Sequence, residues 1–214
     1  MTGKFFFVDQ KKIKYKTSFY YALNEKKDEK HDRVVFFFNK NKKLIYNDVR
    51  KFGFIKFFYK DNINDNLHLY QLGPEPLEKN FNYIYFKKYI KGRNRLIKDI
   101  LMDQKFLSGL GNIYANEILF LSKVKPARKV NKLENFELEK LVNFTKNVLK
   151  RAIKFGGSSI KDFSSSNGKK GLFQQHFRVY GKKGESCSNT NCKSKIERTI
   201  ISNRATFYCP KCQK

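Results

Sequence analysis

The residues with the clearest chemical potential are four cysteines, which all lie in the last 28 residues of the chain. They form two pairs, Cys187 with Cys192 and Cys209 with Cys212, and 16 residues separate the pairs. Each pair can present two thiolates from one tight turn, and the span between the pairs is long enough for a β-hairpin. Zn²⁺ favours four such soft ligands at tetrahedral corners. The spacing therefore predicts one structural zinc ion with no open position for water.

Two other uses of these thiols fit the sequence less well. Disulfides need an oxidising compartment, and Met1–Phe7 is only a short apolar patch that already carries Lys4, so we expect no secretory signal peptide. Four unrelated buried thiols would have no reason to cluster in pairs at one end. The first pair encloses four residues, more than the usual two, which is still within ordinary ligand spacing.

The charge balance points to a polyanionic partner. The chain of 214 residues carries 46 Lys and Arg against 19 Asp and Glu, a formal net charge of +27. Such a surface attracts nucleic acid first and a membrane surface second. No apolar run approaches the 18 residues of a membrane span. With 22 Phe and 12 Tyr, the chain can fill a core and also stack on bases.

The first third of the chain reads as β-structure. Short runs of β-branched and aromatic residues predict four strands, a hairpin turn at Asn39–Lys42 and an exposed loop at Asn24–Asp32. The predicted strands are Met1–Val8, Val34–Phe38, Lys43–Asn47 and Phe54–Tyr59. The two prolines of Leu72–Leu77 end this part.

Helical spacing of apolar residues follows from Phe81 onward. It predicts helices over Tyr89–Gln104, Asn112–Lys123 and Glu134–Phe155, the last one stopped by Gly156 and Gly157. Ser164–Gly171 has the composition of a flexible loop. We therefore predict an α+β protein with three domains. They are a strand-rich domain over 1–78, a helical domain over 79–177 and a zinc-ribbon hairpin over 178–214.

The segment Phe106–Glu117 is the second informative motif. Gly109 and Gly111 allow a tight turn between two helices, and Asn112 is placed at the N-cap of the second. The free N–H groups and the positive dipole of such a terminus can bind a phosphate. Helix capping without any ligand explains the same residues, so the pattern by itself leaves both interpretations open.

Leu101–Glu117 closely resembles the helix–two-turn–helix motif of the formamidopyrimidine-DNA glycosylases, bacterial base-excision repair enzymes that act on oxidised purines. Further blocks resemble this family in the family's order and together cover nearly the whole chain. These blocks are Lys30–Val34, Asp48–Gly53, Leu72–Leu77, Gly156–Phe163, Val179–Cys187 and Arg204–Cys209. The resemblance implies that residues 1–78 are a partial N-terminal β-sandwich and that the helical domain has a helix–two-turn–helix fold. It further implies one structural Zn²⁺ and damaged double-stranded DNA as the partner. It also implies a monomer in the bacterial cytosol or nucleoid.

The resemblance also implies roles for individual residues. Asn112 would hold a backbone phosphate near the lesion. Arg204, at the tip of the zinc hairpin, would clamp the phosphates beside the damaged nucleotide and assist elimination of the cleaved strand. Arg50 would pair with the orphaned opposite base, and Phe52 would wedge the base stack.

Three further positions match the family's DNA-contacting elements. His31 and Arg93 correspond to additional DNA contacts, and Met1 corresponds to the methionine that fills the gap left by the flipped base. Ser164–Gly171 corresponds to the segment that closes over the extruded base. For His31 this role follows from the resemblance alone.

The chain departs from the family at its start. Family enzymes begin with a Pro-Glu-Leu-Pro-Glu segment whose proline amine attacks the sugar C1′, whereas this chain begins Met1-Thr-Gly-Lys-Phe-Phe, which resembles an internal family block. We favour a fragment of a full glycosylase and abasic-site lyase, and expect the present chain to be inactive. A genuine short form would instead be a catalytically inactive, zinc-containing protein that binds damaged DNA.

Two rivals of different class remain at this stage. One is that non-catalytic DNA-binding protein. The other is a zinc-ribbon RNA-binding or ribosomal protein, which the charge and the cysteines would fit. The helical segment with Asn112 and the block with Arg50 and Phe52 argue against the RNA-binding protein, which would have no reason to carry either.

Overall fold

The computed structural model describes residues 3–9, 12–17, 28–39, 41–59, 66–158 and 171–214. They divide into two compact units. The first draws on Met1–Phe58 and Ala152–His176, and the second on Tyr59–Arg151 and Phe177–Lys214. Within these ranges, no helix combines the length and the apolar character that crossing a bilayer requires. The α+β architecture is as predicted, whereas the three domain boundaries stay a prediction.

An antiparallel four-stranded sheet forms the first unit. Its strands are β1 (Lys4–Asp9), β2 (Lys12–Thr17), β3 (Asp32–Phe38) and β4 (Lys42–Asn47), in the spatial order β2-β1-β4-β3. Phe6 of β1 lies opposite Ile45 of β4, and both side chains are buried. The alternation of buried and exposed positions along β4 is that of a strand with one face packed.

Two of the β predictions need correction. Phe54–Tyr59 is not a strand, because residues 51–59 form no backbone ladder and their aromatic rings are exposed. Phe57 instead meets Phe36 ring edge to ring face, with centroids 6.4 Å apart. Aromatic content raised the strand propensity, but a strand also needs a partner edge. The predicted loop Asn24–Asp32 contains a 3₁₀ turn at Glu29–His31, and its residues 24–27 lie outside the described part.

The other β predictions are close to the structure. β1, β3 and β4 lie where strands were expected, with ends shifted by one or two residues, while Met1 and Thr2 fall outside the described residues. Asn41 has φ +59°, as expected for a turn between β3 and β4. β2 was not predicted, because it follows β1 after a short gap in a lysine-rich stretch.

The second unit is helical. Its helices are α1 (Leu67–Tyr70), α2 (Tyr83–Ile90), α3 (Ile97–Leu101), α4 (Asn112–Leu121) and most of α5 (Asn135–Lys154). The single helix predicted over Tyr89–Gln104 is wrong. Gly92 has φ +73° and ends α2, and the backbone from Arg95 to Ile97 then bonds in extended form to residues 128–130.

Residues with positive φ terminate α4 and α5. α4 stops at Leu121, two residues short of the prediction, because Lys123 adopts φ +59°. α5 ends at Lys154, one residue before the predicted end, and Gly156 and Gly157 follow with φ values of +71° and +82°. The Gly157 N–H bonds to the Ala152 carbonyl at 2.8 Å and so caps the last turn.

An aromatic cluster around Phe106 fixes α2 against the turn before α4. Phe106 is fully buried, and the ring centroids of Phe86 and Tyr89 lie 4.7 and 4.8 Å from its own. The Tyr85 hydroxyl donates to the Phe106 carbonyl at 2.8 Å. A Cβ on Gly73 would collide with the Phe106 backbone, so this glycine permits the close approach. The cluster holds the motif that leads into α4.

Glu117 connects α4 to the segment that leads into the hairpin. Its carboxylate accepts the backbone N–H groups of Arg178, Val179 and Tyr180 at 2.8 to 3.0 Å. Burial raises the pKa of Glu117, and the three N–H groups oppose that rise. A buried acceptor with three donors strongly fixes the chain path, because its loss would leave all three N–H groups without a partner. The hairpin therefore begins from a fixed point on α4.

Candidate nucleic-acid interface and metal centre

The four cysteines meet in one cluster. Their Sγ atoms all lie within 4.8 Å of one another. The Sγ atoms of Cys187 and Cys212 are 3.7 Å apart, and those of Cys192 and Cys209 are also 3.7 Å apart. A tetrahedron with metal–sulfur bonds of about 2.3 Å has edges of about 3.8 Å. The donor set and its spacing therefore fit a tetrahedral metal ion held by four thiolates.

The turns that present the sulfurs are themselves bonded. The Cys187 N–H donates to the Ser194 carbonyl, and the Cys192 N–H donates to the Asn189 carbonyl. Burial raises the pKa of the Cys209 thiol. The backbone N–H groups of Cys212 and Lys211, together with the neighbouring thiols, outweigh that effect and bring it to about 7. At least one sulfur is thus predisposed to be a thiolate at neutral pH.

A tight hairpin extends from this cluster. Its strands are β5 (Glu197–Ile201) and β6 (Arg204–Tyr208), joined by Ser202 and Asn203, which both have positive φ. Two successive residues in this region form the turn that suits the twist of a two-residue hairpin. Arg204 begins β6 directly after the turn, and its side chain is exposed. The hairpin thus presents a guanidinium beside its tip.

β6 is bonded to the start of α4 along what we call the seam, formed by Asn112 and Asn116 of α4 and residues 205–207 of β6. The Ala205 carbonyl accepts from the Asn112 side-chain amide at 3.0 Å. The Phe207 N–H donates to Asn116 Oδ1 at 2.7 Å. Asn112 therefore bonds to the residue that follows Arg204, so the first turn of α4 adjoins the strand that Arg204 begins.

Asn112 occupies a slightly different position from the one predicted. Gly111 is the N-cap of α4, with extended backbone angles and no side-chain cap bond, and Asn112 is the first helical residue. The prediction was wrong by one residue, because glycine also serves as an N-cap when no side-chain acceptor is needed. The Asn112 amide is left to reach across to β6 rather than to cap its own helix.

Lys98 of α3 also bonds to β6 and was missed from the sequence. It is fully buried, and its Nζ donates to Thr206 Oγ1 at 2.6 Å and to the Ala205 carbonyl at 3.3 Å. The Thr206 hydroxyl in turn donates to the Arg204 carbonyl at 3.0 Å. The sequence did contain a sign of this role, because Lys98 lies within the apolar pattern of Ile97, Ile100 and Leu101. A lysine buried there needs hydrogen-bond partners.

The environment of Lys98 disfavours its charge. Burial lowers its pKa to about 8, Asp99 opposes that shift, and the nearby positive charge of Arg204 adds to it. The protonated lysine therefore remains the main form at neutral pH, held by two acceptors. Its ammonium contributes a positive charge directly beneath the exposed Arg204.

In the first unit, Asp48 organises the loop that carries Arg50 and Phe52. Its carboxylate accepts the N–H groups of Arg50 at 3.2 Å and Gly53 at 3.0 Å, and Lys51 between them adopts φ +57°. Phe52 is 67% exposed, and the Arg50 guanidinium lies 4.6 Å from its ring centroid. The loop presents a stacked cation and aromatic ring on a fixed base.

His31 lies at the base of the same loop. Its carbonyl accepts the Asp48 N–H at 2.9 Å, and its Nδ1 lies 3.3 Å from the Arg33 guanidinium. Arg33 Nε donates to the Asp48 carbonyl at 2.9 Å. The first unit thus holds His31 and the loop with Arg50 and Phe52 through one residue, Asp48, whose role the sequence alone did not reveal.

The remaining predicted residues are less informative. Arg93 is exposed in the second unit, with its guanidinium 4.3 Å from the Tyr89 ring centroid. Met1 and residues 164–170 of the predicted mobile loop lie outside the described part of the chain. The structure thus groups Asn112 with Arg204 in one unit, and His31 with Arg50 and Phe52 in the other.

Fold and site together define a helix–two-turn–helix protein with a four-cysteine hairpin. A family model described as the formamidopyrimidine-DNA glycosylase H2TH domain matches residues 72–164. The formamidopyrimidine-DNA glycosylase of Roseobacter denitrificans is 40% identical over 186 residues, which is 87% of this chain and 66% of that protein. The Bacillus cereus protein of the same name is 41% identical over 185 residues, 86% of this chain and 66% of that protein.

Solved structures agree with this grouping. A complex of Lactococcus lactis Fpg with DNA containing an abasic site has a TM-score of 0.79 and 33% identity, and the match covers 100% of this chain and 72% of that one. A complex of the wild-type Lactococcus protein with DNA containing N7-benzyl-Fapy-dG is equally similar, with the same TM-score, identity and coverage. The chain belongs to the formamidopyrimidine-DNA glycosylase family. It spans 66% of the length of the curated relatives it matches.

Replacing Lys98 with Met tests the buried ammonium through its pH dependence. Between the folded pKa of about 8 and the ordinary value near 10.4, the unfolded chain binds more protons than the folded chain, so stability rises with pH. From pH 7 to pH 9.5 the parent chain should gain about 1–2 kcal/mol of unfolding free energy relative to Lys98→Met. Denaturant unfolding at matched pH measures this difference.

The matched control is Lys150→Met, which removes an exposed lysine of α5. Its stability difference from the parent chain should not change over the same pH range. A parent chain whose unfolding free energy stays constant or falls relative to that of Lys98→Met as pH rises would contradict the buried, destabilised charge.

Proposed function

We propose that this protein acts in base-excision repair as a DNA glycosylase with abasic-site lyase activity on oxidised purines such as 8-oxoguanine and formamidopyrimidines. The observation that carries the proposal is the hydrogen bond from Asn112 to the carbonyl of Ala205, the residue that follows Arg204 in β6. The solved complexes that this chain resembles are described as containing abasic or Fapy-dG DNA. The proposal places the protein in the bacterial cytoplasm, acting as a monomer on damaged double-stranded DNA.

In this proposal the 214 residues supply the grip on DNA. The Asn112 amide and the free N–H groups of the first turn of α4 would face one phosphate, where the helix dipole favours negative charge. Arg204 would hold a neighbouring phosphate through its forked guanidinium and assist elimination of the cleaved strand. Arg93 would add a further contact to the strand. No nucleophile is assigned among these residues.

The first unit would act on the base stack. Phe52 is exposed on a loop that Asp48 fixes, so its ring is available to enter the space left by a flipped base. Arg50 is stacked on that ring and would follow it to meet the orphaned base. His31, bonded to the base of the loop, would contact the adjacent backbone, and Met1 would fill the remaining gap.

We further propose that the cysteine cluster holds one Zn²⁺. The sulfur spacing and the all-thiolate donor set support this choice over Mg²⁺ or Ca²⁺, which favour oxygen. Cys187, Cys192, Cys209 and Cys212 would occupy all four positions. The ion would therefore serve the hairpin's shape, and with it the position of Arg204, rather than activate water.

Arg204→Ala and Asn112→Ala test the proposed grip. Each should weaken binding to an 8-oxoguanine duplex by about 1–2 kcal/mol, roughly 5- to 30-fold. Losing the Arg204 charge should also reduce the slope of log K against log salt by about one, because one fewer counterion is released. Fluorescence anisotropy titrations from 50 to 200 mM salt give both quantities.

Lys150→Ala removes an exposed cation of the same unit and is the matched control for charge. Its slope and affinity should stay near those of the parent chain. Unchanged affinity in both Arg204→Ala and Asn112→Ala, with an unchanged slope in Arg204→Ala, would overturn the assignment of Asn112 and Arg204 as a phosphate clamp. Tighter binding to structured RNA than to duplex would favour an RNA-binding protein instead.

Cys209→Ser tests the zinc proposal. The parent chain should contain one zinc per molecule, and the variant should lose most of it, because three thiolates and a hydroxyl bind the ion far less tightly. Duplex affinity should fall with the metal. Inductively coupled plasma mass spectrometry gives the stoichiometry, with Ser194→Ala as the control within the module. A metal-free parent chain carrying two disulfides would contradict the proposal.

A further inference from the structure

A groove in the second unit lies outside the elements assigned to DNA. It runs between α2, the 3₁₀ turn Val130–Lys132 and the start of α5, and encloses about 620 Å³. Its size is in the range of protein pockets that hold a few side chains, roughly 300–1,000 Å³. None of the residues proposed above to contact DNA lines it.

The lining is apolar at the bottom and at one edge. Val130 and Leu138 lie in the lining and are 1% and 2% exposed, so they belong to the core beneath. Ile84 stands at the mouth and is 75% exposed. A large aliphatic side chain this exposed, next to a concave apolar surface, is the arrangement that an apolar ligand group would cover.

The rim on the α2 side is basic. Ile84, Lys87 and Lys88 are three and four residues apart, so they share one face of α2, and Lys91 follows directly after the helix. The Lys87 ammonium lies 5.6 Å from the centroid of the Tyr83 ring, which also lines the groove. No carboxylate occurs among the described residues that form this lining. The groove therefore combines a basic rim on the α2 side with an apolar floor.

This combination suits a peptide better than a nucleic acid. A sugar–phosphate strand gains affinity from phosphate contacts and gains little from an aliphatic floor. Exposed bases stack on aromatic faces, whereas this floor is formed mainly by Ile, Val and Leu side chains. A segment with large apolar side chains and flanking carboxylates would fill the floor and meet the lysines at once.

We propose that this groove binds a short acidic segment of a partner protein that carries two or three large apolar side chains. The apolar side chains enter beside Ile84 and Leu133, and the flanking carboxylates face Lys87, Lys88 and Lys91. A single weak docking of this size fits a micromolar dissociation constant. The site would recruit the repair protein to another protein without occupying its DNA-binding seam.

The test uses the full 214-residue chain and a fluorescein-labelled peptide, Asp-Glu-Leu-Asp-Glu-Leu-Phe-Glu. Anisotropy should report binding in the micromolar range, and ¹H–¹⁵N spectra should shift at residues 83–92 and 130–138. A peptide with Ser in place of its three apolar residues should bind at least about tenfold more weakly. A peptide with Asn and Gln in place of its acidic residues should lose binding similarly.

Two variants locate the site. Ile84→Gln keeps helix propensity and touches only an exposed side chain, and it should weaken peptide binding about fivefold or more. Lys87→Glu with Lys88→Glu should abolish it, whereas Lys150→Glu with Lys140→Glu makes the same charge change on α5 and should leave it nearly intact. Neither Ile84→Gln nor the α5 pair should alter zinc content.

Three outcomes would overturn the proposal. The first is no binding of the peptide at 500 μM. The second is equal loss in both lysine pairs with no effect of the Ser-substituted peptide, which would show charge attraction without a site. The third is that Ile84→Gln weakens 8-oxoguanine duplex binding and not peptide binding, which would assign the groove to DNA.

Discussion

The contact between β6 and the first turn of α4 is the interaction on which the proposed DNA-binding site depends. One carbonyl, that of Ala205, accepts from both Asn112 and Lys98, and Asn116 bonds the backbone N–H of Phe207. These bonds are buried or half-buried, so removing one partner would leave the other without a hydrogen bond and away from water. They place an arginine at a hairpin tip next to a helix N-terminus, and neither element could set that spacing alone.

Two further interactions of the second unit stabilise this contact. Glu117, one helical turn beyond the first residues of α4, holds the chain that enters the hairpin through three backbone N–H groups. A small apolar cluster that includes Phe120, Ile196 and Phe207 packs the hairpin base beside the cysteines. A hairpin of two five-residue strands is marginal in water by itself, so these anchors stabilise it, and the proposed metal would add to them.

The sequence predicted the parts of the site that local chemistry dictates. Cysteine spacing gave the metal cluster, and the glycines around Asn112 gave the turn into α4. It did not predict Lys98 or Asp48, because the importance of each comes from partners 108 and 5 residues away that only the fold brings together. Periodicity predicted one continuous helix over Tyr89–Gln104, but the chain turns at Gly92 and then bonds in extended form to another segment. Phe54–Tyr59 has strand propensity but pairs with no strand of the described sheet.

The most direct test of the account is a double-variant cycle between Asn116 and Arg204, read out as affinity for an 8-oxoguanine duplex. Asn116 is fully buried, so it can affect binding only through the position of β6 and of Asn112. Asn116→Ala should weaken duplex binding while the chain stays folded and metal-bound, and the loss caused by Arg204→Ala should be smaller in that background by at least about 0.5 kcal/mol. Full additivity, or an Asn116→Ala chain that binds the duplex like the parent, would contradict the claim that the seam positions the clamp.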